Sequence, residues 1–318
     1  MNTGFKGLIA AALVALAACA GVATTEPPLD ADGANVIGIE TRRVPLGPAG
    51  AELARGVRYA GGLSLHGANL HGLSDLKLEG DQAWSVSDFG ALVKFRIRLD
   101  GRGRLIGAEQ ANLRRLVGTD GAVLPSKRAA DAEGLALLDG EVVVSFERDD
   151  RIWSYGQGGR ALPRPLRRPQ ADFGGNAGME GLAAAAGGGW LVLGEAGGAW
   201  VCEPSACRAL PGAPTRLEDG FSFTSADVDP AGGWFILQRR YRAPFDLQAR
   251  VRRMAPDGSL GPVLIALKPP ASVDNFEGLA AQATAGGVRL YILSDDNANP
   301  LEKTLLMAFD VTAPGPRP

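Results

Sequence analysis

Three glutamates open the same tetrapeptide: Glu133, Glu180 and Glu277 each begin Glu-Gly-Leu-Ala. Every copy is followed by a Gly-marked turn and an apolar run that ends at or near an acid. Glu147 follows Val142–Phe146, Glu195 follows Trp190–Leu193, Asp295 follows Leu293, and Asp88 closes the related run from Trp84 to Ser87. Carboxylates gathered in one place repel one another, so they must be protonated, paired with a base or bound to a cation. Hard oxygen ligands favour Ca²⁺ or Mg²⁺, and Ca²⁺ tolerates the irregular geometry of loop ligands. The candidate ligands are therefore Glu133, Glu180, Glu277, Asp88, Glu147, Glu195 and Asp295, with Ca²⁺ as the expected ion. Glu133 or Glu180 is the candidate general base, Glu277 completes the catalytic set, and Arg239 or Arg240 would hold substrate oxyanions. Further bases, Arg148, Arg151 and Lys303, keep a structural alternative open in which the glutamates pair with arginine. The histidines are two, His66 and His71. A Ser-His-Asp arrangement would use His71, which the repeat alignment puts at the position of the glutamates. No nucleophile elbow, phosphate-binding loop, zinc motif or EF-hand pattern is present.

The elements that must position these residues follow from the repeat. The first two copies stand about 47 residues apart and the third follows after about two such periods. Degenerate copies fill the gaps. Thr224–Val228 precedes a turn and Trp234–Leu237, and His71–Ser74 precedes a turn and Trp84–Asp88. Repeats of this length with Gly turns and strand-like runs predict an all-β fold, a β-propeller with one four-stranded sheet per repeat. The count is five blades, and the unassigned residues 51–66 leave room for a sixth. The last repeat lacks a fourth strand, and Val36–Val44 is expected to join it and close the ring. The first strand of a blade lines the central channel and the second runs back antiparallel. Residues before the first strand and after the second thus lie at one end, giving two acidic rings around a funnel. The glycine after each glutamate permits a tight turn or close approach of a neighbouring blade.

Composition agrees with this class. Gly is 44 and Pro 21 of 318 residues, and the net charge of −2 gives no reason to expect a nucleic-acid partner. The N-terminus reads as a leader. Lys6 precedes the apolar stretch Leu8–Ala18, too short to span a bilayer, and Leu16-Ala17-Ala18-Cys19 resembles a bacterial lipoprotein cleavage site. The expected organisation is a signal peptide over 1–18, a tether over 19–35 lipidated at Cys19, and a single propeller over 36–318. The expected location is the cell envelope, on the periplasmic face of the outer membrane because Ala20 rather than Asp follows Cys19. A monomer is expected that touches the membrane through the lipid alone. Cys202 and Cys207 flank four residues between apolar runs, a hairpin that would carry a disulfide.

Several segments resemble a known family. They are GLSDLKL and WSVSD within 72–88, DAEGLAL at 131–137, GMEGLA at 178–183, and NFEGLA and LYILSDDN within 275–297. Together they are similar to the phytase-like family of "esterase-like activity of phytase". The resemblance implies a propeller and hydrolysis of phosphate or carboxylic esters, small-molecule substrates, in an acidic calcium-filled funnel. The chain departs from a full ring of glutamates at His71 and at Thr224-Ser225. A non-catalytic binding or scaffold propeller with a structural cation is the alternative. A sugar- or lactone-directed propeller enzyme would use the same acidic ring.

Overall fold

The structure is a computed structural model that describes residues 35–174, 177–242 and 246–312. The expected signal peptide, Cys19 and most of the tether lie outside the described residues. Four strands precede the repeats: β1 (Asn35–Ile37), β2 (Glu40–Arg43), β3 (Ala51–Leu53) and β4 (Val57–His66). Blade 1 is β5 (Lys77–Glu79), β6 (Gln82–Ser87), β7 (Ala91–Leu99) and β8 (Leu105–Arg115), with β1 added at its outer edge. A one-turn helix, α1 (Lys127–Ala130), leads into blade 2, which is β9 (Ala132–Leu138), β10 (Glu141–Phe146), β11 (Arg151–Gln157) and β12 (Arg164–Leu166). Blade 3 is β13 (Met179–Ala184), β14 (Trp190–Gly194), β15 (Ala199–Cys202) and β16 (Cys207–Ala209). Blade 4 is β17 (Ser222–Val228), β18 (Trp234–Arg242), β19 (Asp246–Met254) and β20 (Leu260–Leu267), with β3 outermost. Blade 5 is β21 (Asn275–Thr284), β22 (Gly287–Asp295) and β23 (Thr304–Thr312), completed by β4 and then β2.

The protein is thus a five-bladed β-propeller, and an N-terminal strand joins the last blade as the repeat count requires. Closure is deeper than the sequence implied. The fourth place in blade 5 belongs to β4, which pairs with β23 from Thr304↔Leu65 to Val311↔Val57. The expected segment, as β2, adds a fifth strand outside it. Residues 51–66 form no sixth blade, because β3 and β4 extend blades 4 and 5.

Each blade's second strand is buried on both faces because a neighbouring blade covers each side. This explains why Glu141–Phe146 and Trp190–Gly194 read as nearly continuous apolar runs rather than alternating ones. The β9–β10 link is a two-residue turn, Asp139-Gly140, with φ of 49° and 83°. Both central residues are left-handed, as a type I′ hairpin requires. The core divides into clusters that each fill one blade junction. Trp84, Val86 and Leu92 of blade 1 meet Leu135, Val144 and Phe146 of blade 2. Tyr291 and Leu293 of blade 5 meet Leu76, Val93 and Phe95 of blade 1. The Cys202–Cys207 disulfide forms across the β15–β16 hairpin.

The channel is plugged below its acidic end. Asp75, fully buried, accepts from Lys77 Nζ (2.8 Å), Ser225 Oγ (2.5 Å) and the Leu76 and Leu135 N–H groups (2.7 Å each). Lys77 Nζ also donates to the Leu279 carbonyl at 3.3 Å, and Ser225 Oγ accepts from Leu279 N–H at 3.0 Å. One carboxylate therefore joins blades 1, 2 and 4 directly and reaches blade 5 through its partners. Burial pushes the Asp75 carboxyl up to about 6, against the opposing pull of Lys77.

The glycines of the repeated tetrapeptide serve this close packing. A Cβ on Gly134 would lie 2.8 Å from the Glu180 carbonyl of the next blade, and one on Gly278 would lie 2.9 Å from the Asp75 backbone. The Gly181 Cβ would instead meet Leu193 of its own hairpin at 2.9 Å. Gly134→Ala is accordingly expected to cost about 1–3 kcal/mol, as overpacking does when the obstacle is backbone. Chemical denaturation of the variant would show it, and an unchanged midpoint would mean that the blades separate freely.

Candidate functional site

The register of each inner hairpin explains what the glutamates do. Gly134 pairs with Ser145, Gly181 with Leu193, Ser225 with Leu237 and Gly278 with Leu293. The pairing slips at the residue before each of them: Glu133, Glu180, Thr224 and Glu277 are the extra residues of β-bulges. A bulge re-aims a side chain and often borders a site. In blade 1 the pairs Leu73↔Ser87 and Lys77↔Trp84 leave one extra residue between Leu73 and Lys77, and the matching bonds from Asp88 N–H to Gly72 and from Glu147 N–H to Asp131 align Ser74 with Glu133. The equivalent of the glutamates is therefore Ser74, and His71 sits three residues earlier, outside the inner strand. His71 packs edge-on against Phe89 at 5.2 Å and acts on Asp88 at the funnel rim.

The second expected ring also forms. Asp88 N–H bonds the Gly72 carbonyl, Glu147 N–H that of Asp131, and Glu195 N–H that of Gly178, all at the ends of second strands. Asp295 pairs with Asn275 at the same level. In blade 4 this position carries Arg239, opposite Ser222. Blade 4 thus brings Thr224 and Arg239 where its neighbours bring carboxylates.

Arg239 binds the Glu277 carboxylate and the Asn275 side-chain carbonyl through Nη1, and its Nη2 lies 3.7 Å from Glu195 Oε1. These carboxylates raise the Arg239 pKa in spite of its burial. Its guanidinium is committed to protein carboxylates. Arg240 turns away from the funnel: it bonds Asp246 at 3.1 Å and packs toward Phe221. Of the remaining bases, Arg151 lies over Phe146 and Trp153, and Lys303 is exposed.

A second cationic group stands across the funnel. Lys127, placed by α1 behind its Ser126 cap, reaches Asp88 Oδ2 and Asp131 Oδ1, both at 2.6 Å. Arg148 Nε lies 3.0 Å from Asp131 Oδ2 and 3.7 Å from Glu147 Oε2. Asp131, Lys127 and Asn275 were missed from sequence. The signal for Asp131 and Asn275 was the polar residue two places before the glutamate, in Asp-Ala-Glu and Asn-Phe-Glu.

Oxygens of Asp131, Glu133 and Glu147 all lie within 4.8 Å of one another, so these three could hold a metal ion. Asp131 is buried, whereas Glu133 and Glu147 keep a little surface. Glu180 joins them electrostatically, and neither the Glu133 nor the Glu180 carboxylate forms a hydrogen bond among the described residues. Burial pushes Glu133 well above the usual carboxylate range, and the charges of Glu180, Glu277 and Asp131 push it further. Burial and Glu195 do the same to Glu180, and burial and Glu277 to Asp295.

A family model described as phytase-like, "esterase-like activity of phytase", matches residues 68–298. The chain belongs to that family. No curated protein matches it. Among solved structures, the phytase-like chain is similar to the major allergen Mala s 1 of Malassezia sympodialis. The identity is 14%, the TM-score 0.43, and the match covers 81% of this chain and 90% of that one. It is also similar to the glutaminyl cyclase of Myxococcus xanthus, at 13% identity and a TM-score of 0.42, over 83% of this chain and 97% of that one.

The acidic funnel makes stability depend on pH. In chelator, the unfolded phytase-like chain ionises its glutamates near 4.5, whereas Glu133 and Glu180 hold their protons to higher pH when folded. The unfolded state then binds fewer protons, so stability falls as pH rises from about 4.5 through the raised values. Melting curves in chelator across this window should show the decline, and a divalent cation should flatten it. A melting temperature that rises over the window would contradict the raised pKa values.

Proposed function

We propose that the funnel is the active site of a metal-assisted hydrolase of phosphate or carboxylic esters. The observation that carries this reading is the convergence of the Asp131, Glu133 and Glu147 oxygens within 4.8 Å, among carboxylates that outnumber the bases beside them. The donor set is all hard oxygen, irregularly arranged, and that chemistry fits Ca²⁺. Bound there, such an ion would polarise a phosphoryl or acyl oxygen and make a bound water more acidic. The chain's own residues supply the rest. Among the described residues the Glu180 side chain forms no hydrogen bond, and burial, with the charge of Glu195, raises its proton affinity, which suits it to take a proton from water. Lys127 and Arg148, with side chains 41% and 34% exposed, can hold a substrate oxyanion at the rim. Arg239 and Asn275 fix the orientation of Glu277. The reading includes anchoring in the cell envelope through Cys19, supported by the leader sequence.

The committed state of Arg239 favours a second reading, a binding propeller whose cation is structural. One experiment separates the two. Hydrolysis of phytate, simple phosphate monoesters, phosphodiesters and short acyl esters is measured with Ca²⁺ and with chelator, for the purified chain and its Glu180→Gln variant. The hydrolase reading expects calcium-dependent turnover on one substrate class, reduced about 100-fold or more in the variant. No turnover on any class, with the melting temperature still raised by Ca²⁺, would overturn it in favour of the binding propeller.

A further inference from the structure

A second concentration of charge, opposite in sign, lies on the outer side of the junction between blades 1 and 2. A cavity of about 290 Å³ there is lined by Lys94 of β7, Asn112 and Arg114 of β8, Gln82 of β6 and Arg160 from the loop after β11. It is set to the side of the funnel: Asn112 and Arg114 stand on β8, two strands out from β6, with Arg114 level with Val86, and Gln82 stands at the far end of β6 from Asp88, roughly 20 Å along the strand.

The loop Gly156-Gln157-Gly158-Gly159-Arg160 brings Arg160 to this place. Gly156, Gly158 and Gly159 all have φ between 66° and 69°, a conformation that favours glycine. A Cβ on Gly159 would also strike Leu92 of blade 1. The loop is therefore seated directly on the neighbouring blade, with Arg160 over the groove. Lys94 is fixed from below. Its Nζ lies 3.6 Å from the centre of the Trp84 ring and donates to the Gly158 carbonyl at 3.3 Å. Among the described residues, Lys94, Arg114 and Arg160 form no ion pair, and the two guanidinium groups form no hydrogen bond. Burial, then the charges of Arg160 and Arg114, lower the Lys94 pKa. Exposed Glu79 is the acid that opposes them.

Three cations of one cavity repel one another unless an anion is placed between them. We propose that this groove is a binding site for an oxyanion of the phosphate class. Two guanidinium forks and one ammonium suit the tetrahedral oxygens of such a group, and the Asn112 amide, which forms no hydrogen bond among the described residues, supplies a neutral donor. The volume admits a phosphate group with a small attached body, not an extended polymer. The same chemistry is offered by free phosphate and by an anionic lipid headgroup.

The test is titration of inorganic phosphate into the full chain by calorimetry, in chelator and at constant ionic strength. Saturable binding is expected. The double variant Arg114→Gln/Arg160→Gln should weaken it about tenfold or more, since charge-assisted hydrogen bonds are lost. Glu133→Gln, which alters the funnel alone, should leave the affinity unchanged. The melting temperature of the double variant checks its folding, and Lys94→Gln gives an independent loss at the same site. Sedimentation with phosphatidylglycerol vesicles, against phosphatidylcholine vesicles, distinguishes the sources. Binding to the anionic vesicles that the double variant loses identifies a lipid headgroup, and binding to phosphate alone identifies a soluble ligand. No saturable binding to phosphate or to vesicles, equal affinity in the double variant, or loss in Glu133→Gln would overturn the proposal. None of these outcomes bears on ester hydrolysis in the funnel, so the two readings fail separately.

Discussion

Asp75→Ala is expected to destabilise the propeller by about 3–5 kcal/mol, the cost of removing one partner from a buried charge pair. The variant leaves the Lys77 ammonium, 4% exposed, without its ion-pair partner, and among the described residues only the charge of Asp227 still opposes it. It also strips the acceptor from Ser225 Oγ and from the Leu76 and Leu135 N–H groups, which belong to blades 4, 1 and 2. Bulk solvent does not reach those groups, since Ser225 and Leu135 are both 0% exposed. Denaturant unfolding would show an earlier midpoint. Calcium should not restore it, because the knot lies below the carboxylate rings. Asp75→Asn keeps the shape but not the charge and should fall between the two. An Asp75→Ala midpoint close to that of the parent would show that the blades hold without the central carboxylate.

Glu133→Gln should remove the response to calcium. With the cation at about a hundred times its Kd, a bound ion stabilises the parent by about 2.7 kcal/mol, or roughly 5–10 °C in a domain of this size. Glu133 contributes one of the three oxygens within 4.8 Å, so the amide variant should show little of that rise and lose ester hydrolysis by about 100-fold or more. Without calcium the variant should be no less stable than the parent. Its amide replaces a carboxyl whose ionisation is opposed by burial and by Glu180, Glu277 and Asp131. A full calcium response in Glu133→Gln would remove this residue from the ligand set and shift attention to Glu180 and Glu277.

The repeat by itself determined the architecture. A Glu-Gly-Leu-Ala at a fixed period, followed each time by a turn and an apolar run, specifies one supersecondary unit, and units that cannot bury both faces alone must stack into a ring. The same reading found both acidic rings and the disulfide, because a hairpin places its two ends together whatever surrounds it. Three matters were decided by tertiary structure. The first is alignment in the divergent blade. Similarity put His71 beside the glutamates, but the backbone bonds align Ser74 with them, and that alignment is defined by the partner strand rather than by the strand's own letters. The second is what the bases do. Arg239 and Arg240 are adjacent in sequence, yet alternation along β18 sends one to Glu277 and the other to Asp246. The third is the channel itself. Nothing in the sequence around Asp75 marks it, and only closure of the ring brings it Ser225 from a position 150 residues away. Local pattern could set the period, the hairpins and the faces. Which side chains meet across the axis depended on the curvature of the closed ring, to which every blade contributes.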